Sequence, residues 1–474
     1  MNTSDKPGGE LSGQVRRELA AIFGDEGLLT DAGDCWPYGY DNSRRHALPQ
    51  AVVFATSQDQ VRKLLLLCNR EGILVIPRGT GTGTTGATVP DRGGIILSLE
   101  RMNRIIEIDP ANRFARVEPG VTNGALREAL KEHGFFWPPD PTSADICTIG
   151  GNLAYNSAGP RAVKYGTPRE NTLGLRWVTG AGEEISTGVI TSKGVVGYDL
   201  TRLIIGSEGT LAIITEAVLK LTPLPEAKAT LQATYRDVHS AAKAVSAIMA
   251  QPVTPCALEF MDGEAIAMIR NFSDLALPDT VGALLMIEVD GPDHCLEESV
   301  SAVERAASVE GLVEIMSAST GDEVAKLWRT RKALSPALRN VAPKKINEDI
   351  VVPVSRIPAL IEGLEQLSRR TGVKIVNFGH AGNGNIHVNL LVDPEQPGQT
   401  ERAAECLDAM FDLVLELGGT LSGEHGVGLE KRDFVDREID PVTLRLMHDI
   451  KRQFDPANIL NPGKGLPDTP ADHR

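Results

Sequence analysis

Apolar and polar positions change period repeatedly along this chain. "AVVFATSQDQVRKLLLLCNREGILVIPRG" (51–79) opens with a short apolar run and continues with apolar residues at helical spacing. It closes on a second apolar run. The pattern predicts strand, helix and strand in succession. The same style persists to "LIIGSEGTLAIITEAVLKLTPLP" (203–225), whose proline-rich end marks a domain boundary. Beyond it, "ATLQATYR" and "GALLMIEVDG" read as strands and "HCLEESVSAVERAASVEGL" as an amphipathic helix. The expected organisation is a helical lead-in over 1–45, a first α+β domain over 46–225 and a second over 226–418. The second is built on an antiparallel sheet, and a C-terminal segment over 419–474 holds one helix and a Pro/Gly-rich end. The fold class is α+β, and no internal repeat or low-complexity tract interrupts it.

"NFGHAGNGNIHVNL" (377–390) brackets a Gly-Asn-Gly core with two histidines seven positions apart. On one straight strand that odd spacing would send His380 and His387 to opposite faces. Gly382-Asn383-Gly384 instead predicts a reversal, since Asn-Gly supplies the positive φ angles of a tight hairpin. Folded about that turn, His380 and His387 become approximate cross-strand partners with Cβ atoms roughly 5 Å apart. Asn389 is expected on the same face as His387. Two imidazoles so placed suit one metal ion.

Composition narrows the field. The chain has 474 residues, more than one ordinary core requires. A net charge of −15 argues against a phosphate-binding face for nucleic acid. The N-terminal stretch is polar and then amphipathic, and no apolar run is long enough to span a membrane. Cys35, Cys68, Cys147, Cys256, Cys295 and Cys406 are scattered without a CxxC pair. That pattern fits reduced thiols and offers no iron–sulfur or cysteine–zinc site. A cytoplasmic location follows as the expectation, with peripheral membrane association compatible with it.

Three glycine-rich stretches lie beside predicted strands. "PRGTGTGTTGATVP" (77–90) exposes consecutive backbone N–H groups suited to a pyrophosphate. It lacks the Gly-Lys-Ser/Thr of a P-loop, and the strand pattern after it rules out a dinucleotide fingerprint. "DPTSADICTIGGNLAYNSAGPRAVKYGTPREN" (140–171) and "IIGSEGTLAIITE" (204–216) are the others. Together they could wrap an extended nucleotide cofactor.

In that order, "PRGTGTGTTG", "TIGGNLAYNSAG" and "GSEGTLAIITE", followed by "GHAGNGNIHVN", "SGEHGVG" and "NPGK", resemble the vanillyl-alcohol-oxidase family. Its FAD proteins share the p-cresol-methylhydroxylase flavin fold. The last three motifs resemble its D-lactate, D-2-hydroxyglutarate and glycolate dehydrogenase branch. The resemblance runs from about residue 48 to 466 and implies a non-covalent FAD held by a two-subdomain first domain. A second, substrate domain would cover it, and the C-terminal segment would return to the flavin site. It places Arg78, Gly79, Thr80, Gly81, Thr82 and Gly83 at the pyrophosphate. Thr148, Gly150, Gly151, Asn152, Asn156, Ser157, Gly209, Ile214 and Asn461 would line the rest of the cofactor.

The same resemblance makes His380, His387 and Glu424 the ligands of a divalent metal. Zn²⁺ is the first expectation, and Mn²⁺ or Fe²⁺ also suit such a set. His425 would be the base for a substrate hydroxyl. In "LWRTRKALSPAL" (327–338), read as a helix start, Arg331 would grip the substrate carboxylate, with Ser335 and Asn389 as further contacts. The lysine that would meet a second carboxylate is replaced by Asn347, and Lys345 on the same strand face is the candidate substitute. The implied reaction is oxidation of a D-2-hydroxy acid, D-lactate foremost, with glycolate or D-2-hydroxyglutarate as alternatives. A redox-neutral alkyl-glycerone-phosphate synthase is a further alternative, which Glu424 disfavours. No haem, iron–sulfur or NAD motif is present, so the expected electron acceptor is external: a quinone, a cytochrome, an electron-transfer flavoprotein or a partner subunit. A homodimer is compatible with the chain.

Overall fold

A computed structural model describes residues 9–191, 193–270, 277–318, 320–338 and 342–468. The chain forms two compact units. One comprises the residues up to 158, 166–224 and those from 424 onward; the other comprises 159–165 and 225–423.

The first unit holds two main sheets. β1 (Leu28–Leu29), β2 (Ala51–Phe54), β3 (Val75–Arg78) and β4 (Ile95–Ser98) form one in the order β1-β2-β4-β3. β2 and β3 run parallel to β4, and β1 pairs antiparallel on the edge. The crossover between β2 and β3 is the helix Gln58–Glu71, capped by the Ser57 hydroxyl and ended by Gly72 in the left-handed region. Its Val61, Leu64, Leu65 and Cys68 fall on one face at helical spacing and are buried against the sheet. Each such leucine contributes about 1.5–3 kcal/mol, so this face fixes where β3 ends and the glycine-rich loop begins. The lead-in is helical only in part: Leu28–Leu29 joins the sheet.

The second sheet has the order β5-β6-β10-β8-β9, from β5 (Ile105–Asp109), β6 (Phe114–Val117), β8 (Thr172–Thr179), β9 (Glu184–Gly188) and β10 (Ala212–Lys220). β7 (Phe135–Phe136) and β11 (Thr222–Pro223) make a small separate pair. The C-terminal stretch is built into this unit. Leu460 bridges to Val75, and Lys451 Nζ donates to the carbonyls of Thr210 and Leu460 at 2.7 and 2.8 Å.

The second unit is a seven-stranded, wholly antiparallel sheet in the order β15-β12-β14-β13-β17-β18-β16. Its strands are β12 (Ala227–Tyr235), β13 (Ala257–Asp262), β14 (Ala283–Gly291), β15 (Leu312–Ala318), β16 (Lys344–Val351), β17 (Lys374–His380) and β18 (Asn385–Val392). Strand alternation gives it two different faces. One presents Leu231, Leu285, Ile287, Phe260 and Val388, all buried, beside the helices Val238–Ala250, Leu296–Ala307, Ile357–Thr371 and Gln399–Glu416. The other carries Met261, Met286 and Phe378, packed with Leu334 and Leu338 of the helix Gly321–Leu338. Glu259, His380, His387 and Asn389 lie on that second face. "LWRTRKALSPAL" is therefore the latter part of an 18-residue helix, not its start.

Candidate active site

In the first unit the glycine-rich stretches meet where side chains would collide. A Cβ on Gly79 would lie 2.4 Å from Thr148 Oγ1, one on Gly83 2.6 Å from the Tyr155 hydroxyl, and one on Gly209 2.3 Å from Pro77 Cγ. Thr80 Oγ1 donates to the Ile146 carbonyl at 3.0 Å, joining the first loop to the second. The Glu208 N–H donates to Ala154 O at 2.8 Å, joining the third to the second. Thr148 caps the short helix Ile149–Tyr155 by accepting from Gly151 N. The result is a backbone-lined cradle, the form a dinucleotide requires, and FAD fits it.

Beneath the cradle, Arg78 is buried. Its guanidinium donates to Tyr40 O at 2.7 Å and lies where a Cβ on Gly81 would clash. Burial lowers its pKa against the pull of Asp41. Asn152 is equally internal, its amide exchanging hydrogen bonds with Asn123 and Cys147. Asn156, at φ +57°, ends the helix and accepts from Thr167 Oγ1 and Arg169 N. Gly150 N bonds Pro119 O, Ser157 N bonds Asn152 O, and Ile214 packs into the core. Asn461 donates to Ala87 O and Glu208 O, both at 2.9 Å. The Thr82 carbonyl accepts from Asn42.

Glu208 organises the loop that carries Glu424 and His425. Its carboxylate accepts from Val427 N at 2.6 Å and Gly428 N at 2.8 Å. Burial pushes the carboxyl above its usual range, against the pull of those two N–H groups and of Lys431 and Lys464. The His425 carbonyl accepts from Thr85 Oγ1, and Glu424 Oε2 accepts from Ala158 N. The segment is thus held at its backbone from His425 to Gly428 and through the side chain of Glu424.

His380 and His387 belong to the second unit. β17 and β18 are joined by the 3-10 turn Ala381–Asn383, and only Gly384 takes a positive φ, +74°. The register pairs His380 with Asn385 and His387 with Phe378. The two imidazoles are therefore diagonal neighbours on one face, two residues off a direct pairing and close to the approximate cross-strand partnership expected. The longer turn adds the offset. Their rings still meet edge to face, with centroids 5.1 Å apart.

On the neighbouring strand, Glu259 is 1% exposed. Its Oε1 lies 2.5 Å from His380 Nδ1, and its Oε2 accepts from Arg331 Nε at 2.7 Å. Burial pushes this carboxyl up, but the charges of His380 and Arg331 and their hydrogen bonds outweigh it and hold it below the usual range. The Arg331 guanidinium also covers the Phe378 ring at 4.8 Å. With Nε committed to Glu259, its Nη edge can present two parallel N–H groups to a carboxylate. Asn389 is fully buried, donating to Val376 O and His387 O and accepting from Asn347 Nδ2 at 2.7 Å. Lys345 stands in register with Leu391 on the same strand face as Asn347. The Ser335 side chain lies outside the described residues.

Asp349, cross-strand from His387, accepts from Gly423 N through both its carbonyl and its Oδ2, at 2.9 and 3.0 Å. Glu424 follows directly. Within the second unit, His380 and His387 bring two imidazoles together on one buried face, and such a pair fits part of the donor set of a divalent ion.

Residues 49–188 match the FAD binding domain and residues 224–465 the C-terminal domain of FAD linked oxidases. The chain is 37% identical to the glycolate oxidase subunit GlcD of Bacillus subtilis over 455 residues, 96% of this chain and 97% of that one. This chain belongs to the FAD-linked oxidase family. It is also 33% identical to a D-lactate dehydrogenase of Anaerostipes hadrus, covering 88% of this chain and 90% of the relative. Its fold is that of p-cresol methylhydroxylase, at a TM-score of 0.79 and 21% identity, with 97% and 98% of the two chains covered. The family is one of FAD-dependent hydroxy-acid oxidoreductases.

For this FAD-linked oxidase, sequence reasoning missed Glu259 and Glu208. Glu259 left a signal: it interrupts the otherwise apolar stretch "ALEFM" of a central strand, where an unpaired carboxylate is costly. Glu208, at φ +52°, sits between two glycines of positive φ and looks from sequence like a turn residue. No helix among the described residues is long and apolar enough to cross a membrane.

Proposed function

We propose that this chain oxidises a short D-2-hydroxy acid, D-lactate foremost and glycolate next, to the 2-oxo acid. Electrons pass through non-covalent FAD to an external acceptor. The observation that carries the reading is the buried face on which Arg331, through Glu259, adjoins the His380–His387 pair. A carboxylate clamp there adjoins two metal-capable imidazoles. The neutral Asn347–Asn389 pair gives a second substrate carboxylate no cation at that point, which favours a monocarboxylate over hydroxyglutarate.

In this reading the Nη edge of Arg331 holds the substrate carboxylate, and Asn389 keeps β18 and the backbone of His387 in place. His425 removes the hydroxyl proton, as an imidazole near neutrality is suited to do. Glu208 keeps His425 at its post by fixing the two residues that follow Gly426. A divalent cation held by His380, His387 and Glu424 would supply polarisation of the hydroxyl and charge neutralisation. FAD, held by 78–83 and 148–157 with Gly209, Ile214 and Asn461 adjoining, supplies when bound an acceptor for the hydride leaving C2.

The test is anaerobic mixing of FAD-loaded protein with D-lactate, L-lactate, glycolate, D-malate and D-2-hydroxyglutarate. Flavin absorbance and 2-oxo acid are followed together. Bleaching by D-lactate or glycolate, matched by 2-oxo acid, is expected. Bleaching by none of the five, or fastest bleaching by D-2-hydroxyglutarate, contradicts the reading.

A further inference from the structure

We propose that Glu259 is a positioning residue that sets the tautomer of His380 and the orientation of Arg331 together, so that the metal and the substrate carboxylate depend on one buried side chain. This rests on the reading of His380 as a ligand and Arg331 as the clamp.

The backbone fixes the placement. β13 pairs antiparallel with β17 through Phe260 and Gly379, so the next position outward sets Glu259 across from His380 on the same face. Neighbours on that strand are apolar, and the carboxylate has essentially no access to water. A charge so buried is tolerated only when both oxygens are engaged, and both are: one by His380 Nδ1, the other by Arg331 Nε.

An ionised carboxylate has acceptors and no donor. When His380 gives up one proton to become a ligand, the proton it retains is therefore the one on Nδ1, and Nε2 keeps the lone pair that a metal needs. A carboxylate on the far nitrogen of a ligating histidine is the recurrent way to fix its ring and raise its basicity. The bond to Nε sets the plane of the guanidinium and turns its Nη edge toward a ligand. The negative charge between them also offsets the repulsion that Arg331 and a divalent ion would otherwise exert on each other.

Glu259→Gln exposes the coupling, because an amide has one oxygen and one nitrogen where the carboxylate has two oxygens. If the oxygen serves Arg331, the NH₂ faces His380 Nδ1 and drives the proton to Nε2, the tautomer that cannot ligate. If the oxygen serves His380, the NH₂ opposes the Arg331 Nε–H. One partner is lost either way.

Histidine-labelled, FAD-loaded protein stripped of metal is examined by long-range ¹⁵N–¹H spectroscopy, at a pH raised until the His380 ring is neutral, with His380→Gln assigning the signal. Wild type should show His380 as the Nδ1–H tautomer, and Glu259→Gln should shift it toward Nε2–H. Zn²⁺ affinity, by competition with a chromophoric chelator, should fall about 10–100-fold in Glu259→Gln, or KM for D-lactate should rise about tenfold at saturating Zn²⁺. Glu259→Asp keeps the charge but draws it back by one methylene, and should move the same quantities less. An Nε2–H tautomer in wild type, which needs no variant, overturns the proposal. So does a folded Glu259→Gln that matches wild type in tautomer, Zn²⁺ affinity and KM while His380→Gln loses Zn²⁺. If His380→Gln binds Zn²⁺ like wild type, the metal reading itself falls, and the proposal with it.

Discussion

Replacing Gly79 with alanine should loosen the flavin cradle through a single contact. The new Cβ would lie 2.4 Å from Thr148 Oγ1 but 3.5 Å from Thr148 Cβ and Cγ2, so the hydroxyl alone obstructs it. Gly79 does not have a positive φ, which leaves sterics as the whole effect. The easiest relief is rotation of the Thr148 side chain, and that forfeits its bond from Gly151 N. Losing such a helix cap costs about 1 kcal/mol, within a range of roughly 0.5–2. If the cap is needed in the FAD-bound form, the dissociation constant for FAD rises about fivefold, since about 1.4 kcal/mol is a factor of ten. The assay is titration of the metal-loaded apoprotein with FAD, read by flavin fluorescence, on Gly79→Ala, Thr148→Ala and the double variant. Thr148→Ala removes cap and obstruction together, so the double variant should be little worse than Thr148→Ala alone. The coupling between the two changes should be about 1 kcal/mol. Additive losses, or a Gly79→Ala protein that binds FAD like wild type, would show that the Thr148 hydroxyl is not what the new Cβ displaces.

Glu208→Gln should leave one of the Val427 and Gly428 N–H groups without its acceptor, costing about 1–3 kcal/mol by denaturant unfolding. It should slow turnover because His425 rides on that loop. Unchanged stability would show that the carboxylate is dispensable there. His425→Ala should bind FAD normally yet reduce it roughly 100-fold more slowly with D-lactate, a loss typical of a missing general base. Near-normal anaerobic bleaching would remove His425 from the chemistry. Arg331→Lys replaces a planar fork with a point charge that cannot meet Glu259 and a substrate carboxylate in the same geometry. KM for D-lactate should rise about tenfold or more, and an unchanged KM would relieve Arg331 of the role of clamp.

The parts legible in the sequence are those with local causes. The strand–helix–strand pattern at 51–79 needed only apolar period and the Ser57 and Gly72 caps, and the structure has β2, the helix Gln58–Glu71 and β3 there. The reversal between His380 and His387 was readable from Gly-Asn-Gly. Its register was not, because Asn-Gly signals a tight hairpin without fixing its length, and the chain closes with the 3-10 turn Ala381–Asn383. The helix through Arg331 begins at Gly321, ahead of the stretch read as its start. A capping box there, Thr320 and Glu323, each bonding the other's backbone N–H, is the signal present in "STGDEV". The strand at Leu28–Leu29 is two residues long and has no period to detect. Glu259 could not be assigned from sequence, because its partners are 72 and 121 positions away and meet it only through strand pairing.

The most direct test of the account is metal content set against flavin reduction. Purified chain should carry about one divalent ion, and a chelator that removes it should abolish anaerobic bleaching by D-lactate while FAD stays bound. Returning Zn²⁺ or Mn²⁺ should restore bleaching in wild type but not in His387→Ala or Glu424→Ala. Full bleaching by metal-free protein, or by either variant, would contradict the claim that His380, His387 and Glu424 hold a cation on which the oxidation depends.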